Sequence, residues 1–113
     1  MLKKRSPLTK ILFMLIYNVT VKVDWSIHDE WVKWMQNEHL PEMENTGCFK
    51  NSQLLRLLDT DEKDGATYAA QYFAEARSDY DRYITGHSAS IREKYNKKWG
   101  DKVLAFRSLM QVV

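Results

Sequence analysis

The sequence predicts an α+β domain in which two helices cover one face of a four-stranded antiparallel sheet. Near the start of the chain, apolar and polar side chains alternate, which is typical of a strand with one buried face. Two longer segments carry apolar side chains at helical spacing. Three further short segments are rich in apolar and aromatic residues and are bounded by polar or glycine-containing turns, which predicts strands.

The first strand is predicted over residues 15–24. One of its faces carries the apolar side chains Tyr17, Val19, Val21 and Val23. The other face carries Asn18, Thr20 and Lys22. We therefore expect one strongly apolar face, with Asn18 on the side away from the helices.

The first helix is predicted to begin at Ser26, whose hydroxyl can cap the first turn, with Asp29 as the reciprocal acid of a capping box. Its apolar stripe consists of Ile27, Trp31, Trp34 and Met35. Pro41 is expected to kink the helix or to divide it, because proline has no N–H to donate. Gly47 is a natural stop.

Two strands follow, over residues 49–58 and 66–74, and a polar loop over residues 59–65 joins them. A second helix is predicted to begin at Ser78, with Asp81 in the capping-box position. Its inward stripe consists of Tyr80, Tyr83, Ile84, His87, Ile91 and Tyr95. Gly86 is expected to weaken this helix locally.

The second helix is expected to end at the sequence Trp99-Gly100-Asp101, and residues 103–113 form the final strand. The resulting order, β-α-β-β-α-β, is the ferredoxin-like arrangement, with both helices on one face of the sheet.

The apolar content of the strands predicts a homodimer. Two helices cover one face of a sheet, and a face in water would be largely polar. The last strand carries apolar residues on both faces, with Leu104, Phe106, Met110 and Val112 on one side and Val103, Ala105 and Leu109 on the other. We expect a second copy to cover the outer face, sheet to sheet, so that the two sheets form a barrel. The alternative is a monomer with scattered apolar surface residues.

Length and charge limit the class of protein. The chain has 113 residues, of which 44% are hydrophobic and 28% charged, as in a single folded domain. No apolar run has the length of a membrane-spanning helix, and one cysteine, Cys48, excludes an internal disulfide. Four of the 17 basic residues lie within residues 1–13, which leaves 13 basic against 15 acidic residues elsewhere. Neither nucleic-acid nor membrane binding is therefore predicted.

Residues 1–13 are interpreted as a prefix that is disordered or that results from a mis-assigned start, with Met14 at the head of the first strand. The apolar stretch over residues 11–16 is short and lacks a small-residue cleavage site, so an export signal is not predicted. Residues 14–113 are then a single domain, and the lone cysteine favours the cytoplasm.

His87 is the main candidate for chemistry, because it lies in the middle of the inward stripe of the second helix. A neutral imidazole there could act as a base, a donor or a haem ligand, and the alternative is a core histidine bonded to a hydroxyl or a carbonyl. Glu38 and Glu42 fall near the apolar line of the first helix and could serve as a base. The alternative for these carboxylates is a solvated helix end or an ion pair with Arg56 or Arg107.

The aromatic stripes could line a pocket for a flat ligand or fill the core. No spacing of histidines, cysteines and acids matches a zinc site, and no glycine-rich phosphate loop is present. The sequence therefore predicts neither a metal nor a cofactor.

Six short segments together carry a resemblance to a known family. They are Ile16–Val23, Trp31-x-x-Trp34-Met35, His39-x-Pro41-Glu42-Met43, Thr46-Gly47-Cys48-Phe49, Lys98-Trp99-Gly100-Asp101-Lys102 and Ala105-Phe106-Arg107-Ser108. Over residues 14–113 the chain resembles an uncharacterised bacterial domain family of the dimeric α+β barrel superfamily. The resemblance implies this fold and a dimer, but the family has no assigned activity.

The superfamily includes monooxygenases, haem-degrading enzymes, isomerases and ligand-sensing domains, and many members hold a ligand between helices and sheet. By this resemblance, we expect a small-molecule-binding or structural module whose cleft is lined by Trp34, Tyr83, His87 and Arg107. One alternative is a monooxygenase or isomerase, haem-linked in one version, that uses His87. Another is a ligand-sensing or partner-docking domain. Asn18 and His87 resemble two of the three site residues of haem-degrading members, but the third, a tryptophan, has no counterpart on the third strand.

Overall fold

A computed structural model describes residues 14–113 of the chain. Its strands are β1 (Leu15–Asp24), β2 (Asn51–Arg56), β3 (Gly65–Ala74) and β4 (Val103–Gln111). Its helices are α1 (His28–Trp34), α2 (Leu40–Asn45), α3 (Arg77–Gly86) and α4 (Ser88–Trp99). The predicted order of strands and helical regions is confirmed. The predicted prefix, residues 1–13, lies outside the described residues.

The four strands form one antiparallel sheet in the order β2-β3-β1-β4. The two long strands, β1 and β3, lie at the centre and pair along their whole length, from Leu15 opposite Ala74 to Asp24 opposite Gly65. This topology is the ferredoxin-like fold that the sequence predicts. The face of β1 that carries Tyr17 and Val21 is buried under the helices.

The first helical region begins differently from the prediction. A 3₁₀ turn, Trp25–Ile27, precedes α1, and the Asp24 carboxylate accepts the N–H of Ser26 at 2.8 Å. Ile27 then stands at the N-cap of α1 without a side-chain hydrogen bond. The Ser26 hydroxyl is therefore not the cap that the sequence suggests, because the extra turn puts Asp24 in that role.

A π turn, Met35–His39, joins α1 to α2. The N–H of Leu40 bonds to the carbonyl of Met35, five residues back, and Pro41 lies in the first turn of α2. The expected interruption is therefore present, but the helix accommodates it by widening one turn before the proline. The wide turn shifts the buried stripe by one residue. His39 and Met43 are buried, whereas Glu38 is exposed and Glu42 half-exposed.

The second helical region is divided, whereas the sequence predicts one helix. α3 ends at Gly86 and α4 begins at Ser88, with His87 between them at φ −131° and ψ −33°. The cap of α3 also differs, because the N–H of Ala76 donates to the Asp79 carboxylate at 3.2 Å. His87 therefore lies at the junction of two helices rather than in the middle of one.

The outer face of the sheet carries a polar row between apolar ones. Asn18 lies opposite both Gln71 and Ser108, and Gln71 lies opposite Gln53. Gln53 donates to Gln71 at 2.9 Å, and Gln71 donates to Asn18 at 3.2 Å. The large apolar side chains exposed on this face are Leu55, Leu104, Phe106 and Met110.

Candidate functional site

A cavity of about 40 Å³ lies between the helices and the sheet. Strands β1, β3 and β4 form its floor, and the helices close it from above. Its lining residues are Tyr17, Val19, Val21, Met35, His39, Met43, Ala70, Tyr72, Tyr83, Ile91, Arg92, Tyr95, Ala105 and Arg107. The wall is mostly apolar and aromatic, as in small-molecule sites, and none of the acidic residues of the described chain lines it.

The wide π turn directs the titratable side chain of His39 to the cavity, and only 7% of this residue's surface is exposed. Its ring stacks on Trp34, with centroids 5.0 Å apart, and also contacts the ring of Tyr95. Its Nδ1 is buried and has no hydrogen-bond partner among the described residues. Burial lowers the pKa of His39 to about 4, and the imidazole is therefore neutral near pH 7.

Two guanidinium groups, those of Arg92 and Arg107, also line the cavity. Nη2 of Arg92 donates to the Tyr17 hydroxyl at 3.1 Å, while its Nε is buried without a partner among the described residues. Arg107 is exposed, and neither arginine forms an ion pair with an acid of the described chain. Both carry a positive charge that the neighbouring protein groups leave uncompensated.

Burial keeps the hydroxyl groups of three cavity tyrosines, Tyr72, Tyr83 and Tyr95, in the neutral form. Burial raises the pKa of Tyr83, partly offset by the nearby positive charges of Arg92 and Arg107. Burial likewise raises the pKa of Tyr95 to about 12 and that of Tyr72 well above its usual range. The Tyr95 hydroxyl accepts the indole N–H of Trp31 at 2.8 Å, so its own proton is directed elsewhere.

The structure brings together some of the predicted site residues and separates others. Tyr83 and Arg107 both line the cavity. Trp34 lies behind His39 and faces a surface groove instead, together with Glu38, Glu42, Lys94 and Lys98. His87 is half-buried, stacks on Tyr83 with centroids 6.5 Å apart, and is not among the lining residues.

Glu38 and Glu42, the carboxylates that the sequence offers as candidate bases, do not line the cavity: Glu38 is exposed, and Glu42 forms an ion pair. Glu42 pairs with Lys94 at 2.7 Å, rather than with Arg56 or Arg107. Arg56 pairs with Glu62 at 2.8 Å. Asn18 lies on the outer face of the sheet, as its strand pattern predicts, and therefore does not share the cavity with the helices.

Sequence reasoning missed His39 and Arg92 as cavity residues. In a regular helix continued from Trp34, Glu38 would lie on the buried stripe and His39 only at its flank, and the π turn moves His39 onto the stripe instead. Pro41 is the sequence signal for an irregular turn at this position. In the structure, the irregularity is the hydrogen bond from the N–H of Leu40 to the carbonyl of Met35. Arg92 lies in α4, which begins after the break at His87.

Among residues 14–113, no group of histidine, cysteine and acidic side chains could hold a metal ion. No helix of this part of the chain is long and apolar enough to cross a membrane.

Residues 14–113 match the family described as a domain of unknown function, DUF4286. The chain belongs to this family. No curated protein matches the sequence significantly. The DUF4286 match covers the same residues as the resemblance noted in the sequence and leaves residues 1–13 outside.

Two solved structures share the fold of this DUF4286 domain at low sequence identity. One is a dimeric ferredoxin-like protein from an uncultured marine organism, with TM-score 0.61 and 11% identity, over 88% of this chain and 95% of that chain. The other is the heme-degrader MhuD from Mycobacterium tuberculosis, solved with two hemes in its active site. Its TM-score is 0.62 and its identity 16%, again over 88% of this chain and 95% of that chain.

Proposed function

We propose that this protein is a homodimeric small-molecule-binding protein whose ligand occupies the cavity between helices and sheet. The observation that carries the proposal is His39, which is buried in the cavity wall with Nδ1 unpartnered among the described residues. A buried polar atom without a partner costs free energy unless something hydrogen-bonds to it. A ligand in the cavity would satisfy this atom, and the surrounding aromatic rings would bury its apolar part.

The size of the cavity limits the ligand to a small molecule. A volume of about 40 Å³ holds on the order of three water molecules. Ligands of only a few non-hydrogen atoms are the appropriate class, with any further atoms lying in the opening of the cavity. The geometry supports binding better than catalysis by His87, because the His87 ring is not part of the cavity wall.

Haem, which the neighbour MhuD binds, does not fit this cavity. The rings of Trp31, Tyr72 and Tyr83 fill most of the space between helices and sheet and are almost completely buried. Asn18, which a haem-linked interpretation would use, lies on the other face of the sheet from these rings. A macrocycle would need the aromatic core to move apart.

The homodimer is supported by the outer face of the sheet and by the neighbour described as dimeric. Phe106 is 65% exposed on this face, and Leu104 and Leu55 are exposed with it. Several large apolar side chains exposed on one face are costly in water, and covering them with the same face of a second copy gives a two-fold contact. The amide row of Asn18, Gln71 and Gln53 would lie within that contact, with its donors already paired along the sheet.

The binding proposal can be tested by NMR titration with butyrate and with its neutral counterpart, butyramide. Methyl signals of Met35, Met43, Val19 and Val21 report on the cavity, since these side chains line it. We expect at least one of the two probes to shift these signals with saturation. If neither probe does so at concentrations up to the high millimolar range, the binding proposal is wrong.

A cavity-filling variant provides the control for location. Ala105 lines the cavity, and Ala105→Leu adds three carbon atoms there, so the probe-induced shifts are expected to disappear. Ala89→Leu adds the same atoms on the exposed surface of α4 and should leave binding unchanged. Binding that persists in Ala105→Leu would place the ligand elsewhere.

A further inference from the structure

We propose that the cavity selects anionic ligands, namely short-chain carboxylates held by Arg92 and Arg107 with the apolar chain directed toward the aromatic wall. This inference rests on the proposed function and specifies the class of its ligand. It follows from the polar groups that line the cavity, which are donors with no acid among them.

The charge balance of the lining favours an anion. Two guanidinium groups line the cavity, and neither pairs with an acid of the described chain. The carboxylate of Glu42 pairs with Lys94 at 2.7 Å in a separate surface groove. An arginine pair beside an apolar pocket is the arrangement that recognises a carboxylate, because the planar guanidinium donates to both oxygens.

The hydrogen-bonding groups of the cavity also favour an anionic ligand. Nε of Arg92 is buried without a partner among residues 14–113, and its Nη2 donates to the hydroxyl of Tyr17. Because Tyr17 accepts this bond, its own proton is free to donate to a second acceptor. A carboxylate is an acceptor only, so it satisfies donors of this kind, whereas an amide of the same shape brings its own NH₂ against them.

His39 supplies the remaining polar contact. Its Nδ1 is buried at the wall and unpartnered in the described structure, and the ring is more than nine-tenths buried. A neutral imidazole that carries its proton on Nδ1 donates to a carboxylate oxygen without adding a second buried charge. The three groups that lack a protein partner or counter-charge therefore belong to one cavity.

The experiment compares butyrate and butyramide, which have nearly the same shape, in the NMR titration of the full chain at pH 7. We expect butyrate to bind about tenfold or more tightly than butyramide, since charge-assisted hydrogen bonds are markedly stronger than neutral ones. Equal affinities would overturn the selection of anions while leaving the cavity as a ligand site. If neither probe binds, both the proposed function and this inference fail.

Arginine variants locate the source of the preference. Arg107 is exposed, so Arg107→Gln should fold normally and reduce butyrate affinity about tenfold, with butyramide affinity unchanged. Arg77→Gln removes the same charge from an exposed arginine that pairs with Asp81, and we expect the butyrate preference to remain. Arg92→Gln is a second test of the same prediction. A preference for butyrate that survives both Arg107→Gln and Arg92→Gln would refute the assignment.

Discussion

His39 is held neutral by its surroundings rather than by a partner. Burial among the rings of Trp34, Tyr72 and Tyr95 lowers its pKa, and the positive charge of Lys94 acts in the same direction. The carboxylate of Glu42 opposes this shift but does not reverse it. The residue is therefore linked to the stability of the fold as well as to the proposed site.

Stability is predicted to depend on pH through His39. The pKa is about 4 in the folded chain and 6.5 in the unfolded chain, so the unfolded chain binds the proton first as pH falls. The contribution is complete above about pH 6.5 and is lost as pH falls to about 4, with a total of about 3 kcal/mol. The measurement is urea unfolding of the wild type and of His39→Leu between pH 7 and pH 4. The free energy of unfolding of the wild type should fall more steeply toward pH 4 than that of the variant.

His87→Gln serves as the matched control for that measurement. The His87 ring is half-buried at the junction of α3 and α4 and does not line the cavity. We expect this variant to keep the pH dependence of the wild type. An unchanged acid-side slope in His39→Leu would contradict the assignment to His39.

At the scale of elements, the start of β3 approaches the end of β1 very closely. A Cβ atom at Gly65 would lie 2.0 Å from the backbone oxygen of Val23 and 2.7 Å from its carbonyl carbon. These contacts are with backbone, which cannot rotate away, so the two central strands would have to separate. Glycine at this position is required by the close approach of the strands.

Gly65→Ala is therefore predicted to destabilise the fold by about 3 kcal/mol or more, as measured by urea or thermal unfolding. Gly86→Ala is the matched control, because a Cβ at Gly86 would meet nothing within 4 Å. Since Gly86 is the last residue of α3, alanine there should be neutral or stabilise by up to about 1 kcal/mol. Equal effects of the two substitutions would show that the close approach is not a constraint.

The helical elements show where local sequence signals stop being sufficient. The apolar periodicity of the second helical region continues through His87, and Gly86 predicts only a local weakening, whereas the structure breaks the helix there. Pro41 predicts an interruption of the first helical region, which could be a kink, a break or a π turn. Packing determines that it is a π turn. That choice places His39, and not Glu38, against the cavity.

At the scale of the whole molecule, the sheet has one face under helices and one face with exposed apolar rows. We predict that light scattering will give a particle of twice the 13.4 kDa protomer mass at micromolar concentration. Phe106→Glu places a charge in the middle of the proposed contact and should yield the protomer. Each protomer would remain folded, because Phe106 points away from the core.

Leu58→Glu is the control for this prediction. Leu58 is 76% exposed but lies after β2, outside the sheet, so the charge should leave the dimer intact. A wild-type particle of protomer mass, or a Phe106→Glu variant that stays dimeric, would show that this face is not the contact.

The sequence alone determined the order of strands and helical regions, because each follows from a periodicity that local residues carry, as in the alternation from Tyr17 to Val23. It also predicted Tyr83 and Arg107 near the helix–sheet cleft and apolar residues on both faces of β4. Tertiary structure decided the rest. Which side chains meet depends on strand register, as in the amide row through Asn18, and on irregular turns such as Met35–His39. Strand register and irregular turns both depend on contacts between residues far apart in the chain. A local sequence pattern does not show which of these residues will be in contact.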